Sequence, residues 1–87
     1  MKIKYERVTL EDIPAEQRQF VGSTIARFLE HDGTIEDACD ILRSHIDNSS
    51  DSRASRWLLA RLVSDPNVDM KTCKRFLDEL LGGEVYV

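Results

Sequence analysis

Apolar residues recur at three- and four-residue steps through most of this chain, and residues that cannot continue a helix cut the pattern at four places. That alternation of amphipathic run and breaker limits the fold more than any other feature. The first run extends from Ala15 to about His31 and places Phe20, Val21, Thr24, Ile25, Phe28 and Leu29 on one stripe. Gly33 follows, a residue free to take the left-handed conformation that ends helices. Thr34 opens the second run, with Asp37 three residues on in a capping arrangement. Ile35, Ala38, Cys39, Leu42 and Ile46 form its inner stripe, and Glu36, Asp40 and Asp47 lie on its other side.

Residues 47–52, DNSSDS, hydrogen-bond readily to their own backbone and read as a turn. A third helix is predicted from about Ser52 to Ser64, halted by Asp65-Pro66-Asn67. Asp69 caps a fourth, which uses Met70, Cys73, Phe76, Leu77, Leu80 and Leu81 before Gly82. Ahead of the first helix, Thr9 and Asp12 mark a helical turn and Pro14 suits a helix start. Gly22 interrupts the first helix at a propensity cost of ~1 kcal/mol, which the close approach of a neighbouring helix would explain, as would plain tolerance.

The two chain ends read differently. Ile3 and Tyr5 alternate with polar residues, as do Val85 and Val87 in the closing LLGGEVYV. Such segments can pair as two short strands over a helix; a free Val-x-Val carboxyl end is also of the kind that partners read. With 87 residues there is one core and no second domain. The expected fold is therefore mainly α: one domain, 1–87, folded as a compact bundle of about four short helices, with a two-stranded pairing of the N- and C-terminal segments as an optional addition.

The chemistry-bearing residues do not assemble into a catalytic motif. His31 and His45 both fall near helix C-termini, where an imidazolium meets the helix dipole favourably. Cys39 and Cys73 are not part of a C-x-x-C pair and lie on inner stripes, as small buried hydrophobes do. A disulfide between their helices is the alternative, and it needs an oxidising compartment. DNSSDS lacks the glycine and terminal glutamate of a calcium loop, Gly82-Gly83 precede no helix, and no serine sits in a G-x-S-x-G elbow. The chain is expected to be neither an enzyme nor a holder of metals or cofactors. The opening residues do not resemble a signal peptide and no apolar run reaches membrane length, so a cytoplasmic protein off the membrane is expected.

The stretch SRASRWLLARLV, residues 52–63, carries the most functional information. At about 100° per residue, Ala54, Leu58, Leu59, Leu62 and Val63 share one broad arc. Arg53, Arg56, Trp57 and Arg61 fall on the other side, with Ala60 among them. Two arrangements satisfy this pattern. Trp57 fills a second packing surface with arginine stems laid over it, or Arg53, Arg56, Trp57 and Arg61 form an exposed contact patch of the residue types enriched at binding hot spots.

Function follows from that patch and from the charge balance. Twelve basic and sixteen acidic side chains give a net charge of −4, an unusual sign for a nucleic-acid binder. The expectation is a small non-enzymatic protein-interaction module, an inhibitor, adaptor or immunity-type regulator, that binds stoichiometrically through Arg53, Arg56, Trp57 and Arg61. An acidic second helix beside a basic third one would orient a charged partner. The alternative is a regulatory protein that binds nucleic acid through the Arg/Trp helix and through Lys71, Lys74 and Arg75 of the last helix. A homodimer built on the same helix face is a third arrangement.

Overall fold

The computed structural model describes residues 8–82. A 3₁₀ turn, Leu10–Asp12, leads into four helices: α1, Ala15–Glu30; α2, Ile35–Asn48; α3, Arg53–Val63; and α4, Met70–Leu80. Among the described residues there is no strand, and the fold is the expected bundle of four short helices. The suggested pairing of the terminal segments lies outside the described residues.

Local chemistry sets most helix ends where the sequence puts them. The Thr34 hydroxyl accepts from the Asp37 N–H at 3.0 Å and caps α2. The Asp69 carboxylate accepts from the Thr72 N–H at 2.9 Å and caps α4, a bond that holds its pKa below the ordinary value. Thr9 and Asp12 bracket the 3₁₀ turn, with the Thr9 hydroxyl donating to the Asp12 carboxylate. Gly82 takes a left-handed φ of 84° just past α4 and donates to the Glu79 carbonyl at 3.1 Å.

The end of α1 departs from the expected plan. Asp32, not Gly33, adopts the left-handed conformation, with φ 70°. Its N–H donates to the Leu29 carbonyl and that of Gly33 to the Phe28 carbonyl, the bonding of a Schellman motif shifted one residue toward the N-terminus. Aspartate tolerates this conformation because its short side chain bonds locally. Gly33 is needed for space instead, since a Cβ there would run into the Phe28 ring.

The core explains the helix order. α3 packs against α1, α2, α4 and the 3₁₀ turn, and is the central element. Ile25, Leu42, Leu58, Leu59, Leu80 and Cys73 are its fully enclosed large side chains. α1 also packs on α4, and there Gly22 has its reason: a Cβ would lie 2.7 Å from Leu81 Cδ2. The same contact is locked by polar bonds. The Arg18 guanidinium donates to the Leu80 carbonyl at 2.8 Å and the Glu79 carbonyl at 3.2 Å. A cation from α1 thereby satisfies the open carbonyl end of α4.

Three apolar residues leave the faces assigned to them. Phe20 is 62% exposed, Val63 43% and Met70 36%, although all three belong to apolar stripes in the sequence. The buried residues of α1 are Val21, Gly22, Ile25 and Leu29. On a 100° wheel Phe20 sits roughly 100° or more from each of these, beyond the reach of one packing face.

Candidate functional site

The four residues singled out on α3 have separate environments. Trp57 is 5% exposed and belongs to the hydrophobic core. The exposed-patch arrangement of Trp57 is thereby corrected, and the arrangement with the ring packed inside holds. The reason is angular. Trp57 stands only about 60° from Ala54 on the wheel, so an inner arc shifted slightly takes in Trp57 and leaves out Val63. The buried set of α3 is Ala54, Ser55, Trp57, Leu58, Leu59 and Leu62, wide enough to serve a helix with neighbours on several sides.

Arg61 lies in the last turn of α3, with its head in solvent. Its guanidinium carbon sits 4.9 Å from the Trp57 ring centroid, a cation–π contact. Long helical side chains lean toward the preceding turn, so an arginine at i+4 naturally covers the ring at i. Trp57 therefore acts on the surface only indirectly, as the floor on which Arg61 rests.

Arg53 is held in place by local partners. Nε and Nη2 donate to the two Asp51 carboxylate oxygens at 3.0 and 2.9 Å, and Nη1 donates to the Asp12 carbonyl at 2.7 Å. The forked bond to Arg53 lowers the Asp51 pKa from 3.8 to about 2. Such a carboxylate contributes stability above its ordinary titration range, and that contribution is lost as pH falls through about 2. An NMR titration should find the Asp51 midpoint near about 2 in the parent chain. In Arg53→Met the midpoint should return toward ordinary carboxylate values; an unmoved midpoint would show that Arg53 is not the cause.

Arg56 is the remaining member. It is half-buried, and its Nε is enclosed without a hydrogen-bond partner among the described residues. The ion pairs among the described residues are Arg43–Asp40 and Arg53–Asp51, so neither Arg56 nor Arg61 faces a carboxylate there. Around the outside of α3 the order is Val63, Arg56, Ala60, Arg53, then the Arg61 head above Trp57. This ridge has two uncompensated guanidinium groups, one compensated by Asp51, and an exposed valine.

Sequence reasoning missed two polar side chains that shape this end of the bundle. Asp51 belongs to the turn DNSSDS in the sequence, yet an Asp two residues before an Arg at a helix start is a local signal for the clamp. Gln17 is different. Its Oε1 accepts from the Ala54 N–H at 3.2 Å and covers the start of α3, where the Ser52 side chain makes no cap. The two residues are 37 apart, and nothing local announces their meeting.

The remaining chemistry-bearing residues are dispersed. His31 is the exposed C-cap of α1, and His45 stacks on Phe20 with ring centroids 5.8 Å apart. Cys39 and Cys73 are free and buried. Among the described residues no three His, Cys, Asp or Glu side chains gather to hold a metal, and no helix is long and apolar enough to cross a membrane. Comparison of the chain with protein-family models, with curated proteins and with solved structures finds no match.

Proposed function

We propose that this protein is a small non-enzymatic interaction module that binds a protein partner stoichiometrically, as an inhibitor, adaptor or immunity-type regulator does, through the arginine ridge of α3. Arg56 carries the reading. Its guanidinium faces no carboxylate among the described residues, and a carboxylate brought by another protein would compensate its charge. The planar fork of arginine suits that task, since it can hold a carboxylate through two parallel bonds. Arg61, steadied by Trp57, offers a second, exposed fork on α3. Arg53 borders the contact, and exposed Val63 adds apolar area to it. Trp57 supports the surface from beneath.

Nucleic acid is the second reading. It draws on α4, which packs against α3 and exposes Lys71, Lys74 and Arg75. Against it stands α2, which also packs against α3 and exposes Glu36, Asp40 and Asp47. Phosphate approaching α3 would meet that acidic helix, whereas a protein surface of mixed charge can complement both.

The test compares the parent chain with Arg56→Gln/Arg61→Gln as immobilised bait in an extract of the source cells. Removing two charge-assisted contacts should weaken retention of a stoichiometric protein partner by roughly 10–100-fold or more, with the melting temperature lowered by only a few degrees. Equal retention by both baits would rule out the ridge. Retention of nucleic acid that weakens steeply with salt would favour the second reading.

A further inference from the structure

The outward face of α1 is the largest apolar anomaly among the described residues. Phe20 is 62% exposed, well ahead of Val63 and Met70. One ring face meets His45, at a centroid distance of 5.8 Å, and most of the side chain remains in water. A lone exposed phenylalanine needs no explanation by itself. Its surroundings are more informative. Phe20 lies in a shallow open groove along α1 lined by Glu16, Gln19, Ser23, Thr24 and Arg27. Glu16, Phe20, Ser23 and Arg27 follow a four-three-four spacing, which keeps them on a single line along a helix.

That line is self-complementary. If a second α1 is laid against it in the opposite direction, about a two-fold axis level with Val21 and Gly22, the four residues of the line meet fitting partners. Glu16 faces Arg27 of the other copy, and Arg27 faces its Glu16. Phe20 faces Ser23, whose small side chain leaves space for the ring, and the reverse contact repeats it. Glu16 and Arg27 make no ion pair among the described residues, so neither charge is already compensated there.

We propose that α1 is a homodimerisation surface, with two copies joined as an antiparallel helix pair in the Glu16–Arg27, Phe20–Ser23 register. Two-fold pairing is the usual symmetry of small homo-oligomers, and it requires one patch to match itself. Charge complementarity selects a second copy as the occupant. The same placement of one acid and one base at equal distances from the axis has no special value for an unrelated ligand. A helix of 16 residues is about 24 Å long, so the contact belongs to the small-interface class, below ~1,200 Å², and the dimer is weak. The assignment does not rest on the α3 ridge, and either can stand without the other.

Sedimentation equilibrium on the full chain between ~10 µM and ~1 mM tests the proposal. The parent chain should pass from monomer to dimer within that range. Phe20→Ser should raise the dissociation constant about tenfold or more, a hot-spot effect. Glu16→Arg alone places arginine against arginine, Arg27→Glu alone places glutamate against glutamate, and each should be monomeric. Mixed in equal amounts, these two variants should form a one-to-one heterodimer, because both ion pairs are restored, one in the original sense and one reversed. All three side chains are exposed, so circular dichroism should show unchanged helix content. A parent chain that stays monomeric to ~1 mM overturns the proposal. A dimer indifferent to both charge reversals, or a mixture that fails to associate, overturns it equally.

Discussion

Replacing Trp57 with alanine is expected to destabilise the fold by about 3–5 kcal/mol, a large share of what a chain this short can hold. Domains of this size rest on stabilities toward the lower part of the ~5–15 kcal/mol range. Trp57 is 5% exposed on a helix that packs against every other helix, so its removal opens a cavity at the centre of the bundle. The melting temperature should fall by on the order of 15–30 °C. Arg61→Ala is the matched control. It removes a cation–π contact worth about 0.5–1 kcal/mol and leaves the core intact, so it should shift melting by only a few degrees. The chain has one tryptophan, which gives its own readout. Its fluorescence should be blue-shifted and poorly quenched in the native state, and red-shifted on unfolding. A Trp57→Ala variant that melts like the parent would return Trp57 to the surface and restore it as a direct contact.

This prediction turns on a distinction that sequence periodicity blurs. A helical wheel ranks residues by angle, and Trp57 falls at the boundary between the aliphatic arc and the arginines. The side on which neighbours pack decides which way a boundary residue turns. α3 and α1 each pack against all three other helices, yet the buried arc of α3 takes in Trp57, whereas that of α1, made of Val21, Gly22, Ile25 and Leu29, leaves Phe20 outside. The sequence contains both apolar boundary residues and does not contain where the neighbours lie.

Helix ends were readable for the converse reason. Thr34 and Asp69 bond to N–H groups three residues away, and Gly82 turns the chain within its own neighbourhood. Bonds that cross the bundle left no such trace. Arg18 to the Leu80 carbonyl spans 62 residues, and Gln17 to Ala54 spans 37. Both donors and acceptors are common residue types with no local pattern. At the candidate site the same division applies. The residue types on the α3 ridge could be listed from sequence, but the Asp51 clamp on Arg53 and the orphaned Arg56 Nε separate one arginine from another only in three dimensions.

The second large effect concerns the two thiols. Cys39 and Cys73 are enclosed in the core, and burial raises both pKa values above the ordinary thiol value. Nearby Arg43 partly offsets the rise at Cys39, while Cys39 itself adds to that at Cys73. A group whose folded pKa exceeds its unfolded pKa stabilises the fold fully below the unfolded value and loses that contribution as pH rises toward the folded one. The unfolded value is ~8.5, so stability in urea should be flat through neutral pH and decline above that point. The limiting slope is about 1.4 kcal/mol per pH unit for each thiol and about twice that for the pair. Cys39→Ala/Cys73→Ala should lower stability at pH 7 by the loss of packing and remove most of the alkaline decline. The same burial governs reactivity, because the thiolate is the reactive form and it cannot be reached in the closed bundle. A thiol reagent at pH 8 should therefore modify the native chain only through opening of the bundle, at least ~1,000-fold more slowly than the unfolded chain for a stability of ~5 kcal/mol. Rapid modification of either cysteine in the native state would show that its helix opens locally, and the alkaline decline should then shrink, since the free energy of local opening limits how far burial can raise the thiol pKa.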